Sequence, residues 1–385
     1  MSSISGTLFR VSTFGESHGP GVGVILDGCP PGFAINLDEL QQELNRRKPG
    51  QSHLTTARQE PDSLEILSGV FEGKSLGTPI AMMVRNVDNR SQDYQSFAQI
   101  YRPSHADFTY HAKYGHRTPH GGGRASVRET IGRVAAGAIA KQILRNELGV
   151  ETIAWVESVG TVDSQALKKP PQTRDQVDSN LIRCPNEIAA KKMIALVEEA
   201  RSNKDSVGGT IGVIVRGVPP GLGDPVFDKL EAELAKASLS IPACKGFESG
   251  SGFEGTRLFG SQHNDEFIPA ADPHKHGPTA ELPAPVLETR TNMSGGIQGG
   301  ISNGMPILCR LAFKPTATIA QALGSVNEKG ESVTLEARGR HDPCVLPRAV
   351  PIVEAVFNLV LMDAYLRQRA AVPEWWIRYK RDREG

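Results

Sequence analysis

Charge of either sign is not in excess. The chain sets 43 lysines and arginines against 43 aspartates and glutamates, so no global field points to nucleic acid or to a basic partner. Cysteine is sparse: Cys29, Cys184, Cys244, Cys309 and Cys344 are scattered, with no C-x-x-C spacing. That excludes a disulfide framework and a thiolate metal centre, and the five read as reduced thiols in or near the core. No apolar run approaches the ~20 residues that cross a bilayer. The start, Met1 to Thr7, carries neither a secretory nor a transit pattern, so a cytoplasmic location with no membrane partner is expected. Fixed-period repeats are lacking as well.

Glycine and proline are what the chain has in quantity, 40 and 26 of its 385 residues, which implies tight turns, short elements and mixed α and β structure rather than a helical bundle. The most informative glycines stand in His120-Gly121-Gly122-Gly123-Arg124-Ala125-Ser126-Val127-Arg128-Glu129. Glycines let the backbone approach a ligand, and Ser126 with Glu129 has the spacing of a capping box at a helix start. Val127, Ile131, Val134, Ala135, Ala138, Ile139 and Ile143 then recur at helical intervals as one buried face. Free N–H groups, a positive helix end, Arg124 and Arg128 together make a site for an anion, with a turn before a surface helix as the alternative.

Around this stretch the chain reads as strands, short helices and polar loops. Leu8 to Phe14 and Val22 to Leu26 read as strands that hold His18 on a loop between them. Asn36 and Glu39 start a short helix that ends in Arg46, Arg47 and Lys48. Those cations either complement the helix dipole or, with His53 and Arg58, close over a polyanion. Ile80 to Val84 reads as a buried strand leading into a long polar connection with Tyr101, Arg102, His105, Asp107, His116 and Arg117. Such loops usually bind or cover something. His105 and Asp107, or His111, His116 and His120, fit no standard zinc spacing and sit among arginines, so no metal is expected.

Farther on, strands are expected near Ile153 to Val156, Ile211 to Val215 and Ile307 to Phe313, and helices over 186–202, 227–237 and 349–369. The pattern around Val22 resembles that around Ile211, which raises two related β-rich halves as a possibility. Residues 263–286 read as a surface excursion, Asn292 to Gly304 as a second glycine-rich loop, and 370–385 as a tail with aromatics among cations. Together the glycine loops, the arginine clusters, His18, His105 and Asp342 describe a pocket for a multiply charged, phosphorylated small molecule.

The sequence resembles the chorismate synthase family over nearly its whole length, residues 1–385 as a single domain. The resemblance rests on Gly15-Glu16-Ser17-His18-Gly19, Arg102-Pro103-x-His105-Ala106-Asp107, Gly123-Arg124-Ala125-Ser126-x-Arg128-Glu129-Thr130 and Gly339-Arg340-His341-Asp342-Pro343, in order and at sensible spacing. It implies an α+β fold, a sandwich of antiparallel sheets enclosing helices with long active-site loops, and a homotetramer. The implied reaction is the anti 1,4-elimination of phosphate from 5-enolpyruvylshikimate 3-phosphate to give chorismate, the last common step of the shikimate pathway to aromatic amino acids. It needs reduced FMN, which an external flavin reductase would supply, with NADPH only as indirect reductant.

Carried over by position, the resemblance makes His18 the proton donor to the reduced flavin. His105 serves the departing phosphate, and Asp342 accepts the proton, directly or through flavin N5. Arg47, Arg102, Arg128 and Arg340 would hold substrate. Arg124, Ala125, Ser126, Gly299, Lys314, Pro315, Thr316, Ala317, Thr318 and Arg340 would hold FMN. Ala125, Pro242 and His53 depart from residues frequent in that family. Two rivals are a flavin- or nicotinamide-dependent oxidoreductase acting on a phosphorylated acid, against which a usable Gly-x-Gly-x-x-Gly is lacking, and a non-catalytic anion-binding module.

Overall fold

The computed structural model describes residues 3–56, 58–88, 98–118, 121–270, 287–336 and 342–372. Its frame is two antiparallel sheets of five strands. The first runs in the order Ile4–Ser5, Arg10–Gly15, Gly21–Asp27, Ile80–Arg85, Leu64–Ile66. The second runs Cys244–Ser249, Ile307–Phe313, Gly209–Arg216, Glu151–Val159, Val162–Asp163. The central helix Thr130–Leu148 lies on the first sheet, the C-terminal helix Leu346–Ala371 lies on the second, and the two helices pack on each other. The result is the α+β sandwich, sheet outside and helix inside, that the resemblance implied. The two segments of similar pattern, around Val22 and Ile211, each form the middle strand of one sheet.

The strand pattern follows from this layering. Ile307, Cys309, Leu311 and Phe313 are buried while the residues between them are only half-buried, the alternation of a strand with one apolar face. Glu151–Val159 is instead buried at every position after the first, because both the C-terminal helix and the helix Glu187–Ser202 pack on it.

The two inner helices are enclosed on more than one side. Thr130–Leu148 therefore buries Ala136, Gly137, Ala140 and Leu144 in addition to the expected stripe. Leu346–Ala371 starts three residues before the expected 349, and by length and composition it could cross a membrane, which the reading of apolar runs overlooked. Here it is core, buried for most of its length. Pro351 within it has no N–H to donate to Pro347 O, and the guanidinium of buried Arg183 donates to that carbonyl instead.

Other expectations shift for local reasons. The helix expected at 227–237 runs Leu230–Leu239, because Val226 takes φ +70° and Phe227 is left exposed. The polar connection before the glycine stretch holds a helix, Asp107–Tyr114, closed by Gly115 at φ +68°. The excursion begins and ends as a hairpin, Phe267–Pro269 with Leu287–Thr289, while 271–286 and the tail from 373 lie outside the described residues. Across the sandwich, Asp363 Oδ1 on the C-terminal helix accepts the backbone N–H groups of Thr7, Leu8 and Phe9 at 2.9, 2.7 and 2.8 Å.

The inner helices approach each other closely at Gly137, where an added Cβ would stand 2.6 Å from Ala355 Cβ and 2.7 Å from Ala355 O. Gly137→Val is expected to lower unfolding stability by about 2 kcal/mol through overpacking. A Cβ on Gly260 meets nothing within 4 Å. Gly260→Ala should therefore stay within about 0.5 kcal/mol of the parent in urea denaturation.

Candidate functional site

Pro119 and His120 lie outside the described residues, and the chain resumes at Gly121 with φ +66°. Two short 3-10 turns, Gly123–Ala125 and Val127–Glu129, then lead into the central helix. Ser126 Oγ accepts the Arg128 N–H at 3.3 Å, as a cap should. The expected reciprocal half does not form. Glu129 turns away and accepts from Thr13 Oγ1 at 3.0 Å and Arg133 Nε at 3.2 Å. The true α-helix therefore begins only at Thr130.

This stretch forms one wall of a cavity of about 1110 Å³ that also takes in His105, Arg124, Ala125 and Glu129 and reaches Gly223 and Leu230 on the far side. Arg124 is set by the strand beside it, donating to Gly15 O at 3.1 Å, Thr13 O at 3.0 Å and Thr13 Oγ1 at 2.6 Å. His105 Nδ1 lies 2.9 Å from Asp107 Oδ1. Asp107 also receives a two-pronged contact from Arg102, Nε to Oδ2 and Nη2 to Oδ1, both 2.7 Å. Burial alone would raise the Asp107 carboxyl, but the hydrogen bonds from Arg102 and His105 prevail and hold it well below the usual carboxylate range.

Arg102 Nη2 also donates to Gly121 O at 2.8 Å, and a Cβ at Gly121 would fall 2.2 Å from His18 Nδ1. Glycine at 121 thus lets the His18 ring lie against this corner, where Ser17 Oγ is 3.0 Å from Nδ1. Ser17 O in turn accepts from Arg58 Nη2 at 3.3 Å. Both Arg58 and Arg128 pair with the buried Glu60 carboxylate, at 2.6 and 3.5 Å.

Arg128 Nη1 and Arg47 Nη2 each donate to Asp62, one to either oxygen, both at 3.0 Å. Arg47 is fully buried. Burial, opposed by Asp62 and reinforced by Arg348 and Arg128, brings its guanidinium down to about 9. Arg47 O accepts from Arg348 Nε at 3.4 Å, and Arg348 Nη1 donates to Asp342 Oδ2 at 2.5 Å. Asp342 Oδ1 accepts the Thr56 N–H at 2.9 Å.

His18, His105, Asp342, Arg47, Arg102 and Arg128 therefore belong to one connected set of contacts, and Arg124 and Ala125 line the cavity beside it. Arg340 lies outside the described residues. The arginines differ from the open forks that sequence suggests. Arg47, Arg102 and Arg128 are buried and each is matched with a carboxylate, because guanidinium groups drawn out of water need counter-charge. Sequence reading passed over Glu60, Asp62 and Arg348, and the pairing roles of Asp107 and Glu129. The run Arg58-Gln59-Glu60-Pro61-Asp62, acids two apart beside a cation and a proline, was the available signal.

The segments expected to hold a flavin approach from the second sheet. Lys314 Nζ donates to Ser104 O at 3.3 Å, next to His105, and burial lowers the Lys314 ammonium, with Lys245 adding to it. Thr316 Oγ1 is buried without a hydrogen-bond partner. Gly299 takes φ +63° with open space where a Cβ would point. Its neighbour Gly300 accepts from the N–H of Leu230, which lines the cavity, at 2.9 Å. None of Lys314, Thr316 and Gly299 lines the cavity; taken singly, a cation, an unspent hydroxyl and an uncluttered glycine turn are groups of the kind that hold a phosphorylated, ring-bearing cofactor. No group of three or more metal-ligating side chains occurs among the described residues.

An α+β sandwich whose cavity takes in His105 and Arg124, beside a linked set of His18, Asp342 and carboxylate-matched buried arginines, carries the acid, base and anion-binding groups of an enzyme site for a small molecule. Comparison with known proteins makes this specific. The family model for chorismate synthase matches residues 9–366. Curated chorismate synthases of Cyanothece sp. and Synechocystis sp. are each 59% identical, over 370 and 374 residues, covering 96% of this chain and 98% and 99% of theirs. That of Leptospira biflexa is 56% identical over 380 residues, 98% of either chain. A solved structure titled as a crystal structure of chorismate synthase superposes with a TM-score of 0.72 at 30% identity, covering 98% of this chain and 99% of that one. The chain belongs to the chorismate synthase family. It is a lyase of the chorismate-forming step, acting on a small molecule, and the family implies a flavin cofactor.

Asp107→Asn removes the carboxylate that buried Arg102 grips with two donors and is expected to cost about 3 kcal/mol near neutral pH. Because the folded-state carboxyl is depressed, its stabilisation is complete above about pH 5 and is lost as pH falls from about 4 towards the folded value. Denaturation at a series of pH values should show parent and variant converging only on the acid side.

Proposed function

We propose that reduced FMN and 5-enolpyruvylshikimate 3-phosphate meet in this cleft and that phosphate is eliminated there in the anti 1,4 sense. The C6–H bond breaks, its electron pair forms a new ring double bond, the existing double bond shifts, and the C3–O bond to phosphate opens, leaving the diene of chorismate. Arg124, Ala125, Ser126, Gly299, Lys314, Pro315, Thr316, Ala317, Thr318 and Arg340 would hold the flavin. Bound and reduced, it supplies electron density to the ring as the leaving group departs.

The chain's own groups manage charge and protons. Arg47, Arg102, Arg128 and Arg340 hold the substrate carboxylates and phosphate. With Nδ1 facing Asp107, His105 uses Nε2 to meet the departing phosphate. Asp342 accepts the C6 proton on a carboxylate whose two oxygens each keep a further lone pair beyond Thr56 and Arg348. His18 keeps the flavin protonated as needed. The observation that supports this most is the connected run of contacts from His105 through Asp107, Arg102, Gly121, His18, Ser17, Arg58, Glu60, Arg128, Asp62, Arg47 and Arg348 to Asp342. A homotetramer, a cytoplasmic location, reductant from a separate flavin reductase and NADPH used only indirectly complete the reading.

The test is an anaerobic assay with chemically reduced FMN, following phosphate and diene absorbance together. His105→Ala and Asp342→Ala are each expected to slow turnover by about 10²-fold or more with flavin affinity within about 2-fold of the parent. Near-normal turnover in both would overturn the roles. Nicotinamide consumed in step with product would favour an oxidoreductase, and anion binding without turnover would favour a binding module.

A further inference from the structure

Asp62 combines burial, backbone strain and two charged partners. It is completely buried and takes φ +48°, a left-handed conformation that costs a non-glycine residue energy and persists only where the surroundings over-determine it. They do so here. Pro61 precedes it, Gln41 Nε2 on the first helix donates to Asp62 O at 3.0 Å, and the Gln41 side-chain oxygen accepts the Leu64 N–H at 3.1 Å. Held this way, the carboxylate gives Oδ2 to Arg47 and Oδ1 to Arg128, at 3.0 Å each.

The remaining donors of the two guanidiniums are arranged around that carboxylate. Arg47 Nη1 donates to Val127 O at 3.2 Å, and its Nε is buried with no partner. Arg128 Nε donates to Asn86 Oδ1, and Nη2 lies 3.5 Å from Glu60. The two cations repel each other, as the lowering of the Arg47 guanidinium by Arg128 reflects. A single fixed anion between them sets their separation and the direction each fork faces.

We infer that Asp62 is a positioning residue for substrate binding: its carboxylate clamps Arg47 and Arg128 in register for the anionic groups of the substrate. This rests on the reading that those two arginines hold substrate. The strain at Asp62 is then the means by which one short side chain reaches two arginines from different elements, Arg47 at the end of the first helix and Arg128 before the central one. Asparagine tolerates the left-handed conformation and keeps the shape while removing the charge. Glutamate moves the carboxylate out by one methylene and should not restore the spacing.

The test is equilibrium binding of 5-enolpyruvylshikimate 3-phosphate to the full-length protein without flavin, by calorimetry, with FMN affinity and far-UV circular dichroism measured alongside. Asp62→Asn and Asp62→Glu are each expected to weaken substrate binding by about 30-fold while FMN affinity stays within about 2-fold. In an Arg47→Gln, Arg128→Gln background, adding Asp62→Asn should change substrate affinity by less than about 2-fold, since the groups it acts through are already gone. Full substrate affinity in Asp62→Asn, with Arg47→Gln and Arg128→Gln both weakened, would overturn the assignment and leave the arginine reading standing. Unchanged affinity in the two arginine variants would overturn that reading itself. If Asp62→Asn does not fold, Asp62→Gly, which is free of the strain, takes its place. Loss of fold in both would make Asp62 a structural counter-ion only and would also overturn the assignment.

Discussion

The site depends on keeping several guanidinium groups out of water without letting them fly apart. A buried cation lacking an anion costs several kcal/mol, so each buried arginine has to bring an acid with it. Arg102 has Asp107, Arg47 and Arg128 share Asp62, Arg58 has Glu60, and Arg348 has Asp342. Where the partners lie far apart in sequence, as Asp62 and Glu60 do from Arg128, satisfying the charges also assembles the loops. The same contacts that make burial tolerable aim the remaining donors, so electrostatic necessity and geometric order have one origin.

The fold supplies the rigid parts to which those loops are tied. The two short turns that lead into the central helix carry Arg124 and Arg128, and the strand Arg10–Gly15 holds Thr13 and Gly15 against Arg124. The C-terminal helix delivers Arg348 and, just before its start, Asp342. From the second sheet, the end of strand Ile307–Phe313 passes directly into Lys314, whose ammonium reaches back to Ser104. The first sheet lines the cavity through Val11 and Thr13, and the helices Leu230–Leu239 and Leu346–Ala371 complete its wall.

Much of this was legible in the chain. Ile307–Phe313 was expected to the residue, because alternation with one buried face has a period that no helix shares. The glycine stretch, the loop histidines and the arginine clusters were marked by composition and by the motifs that carry the family resemblance. What escaped has physical reasons. The partner acids obey no period, and Asp62 or Glu129 looks like any polar residue until the tertiary fold places a guanidinium beside it. Glu129 had the spacing of a cap but found Thr13 and Arg133 more accessible. Leu346–Ala371 was under-read because an all-round apolar helix has little amphipathic contrast when neighbours cover it on every side.

The carboxylate of Asp363 grips three consecutive amides, at Thr7, Leu8 and Phe9, more than 350 positions earlier in the chain. A ribosome making this protein releases the opening strands long before the residue that fastens them exists. Until the last helix emerges, the second sheet lacks the layer that covers its inner face, while the central helix already lies on the first. Closing the sandwich thus waits on contacts of large sequence separation, which slow folding and lengthen the interval in which unpaired strands are exposed to other chains.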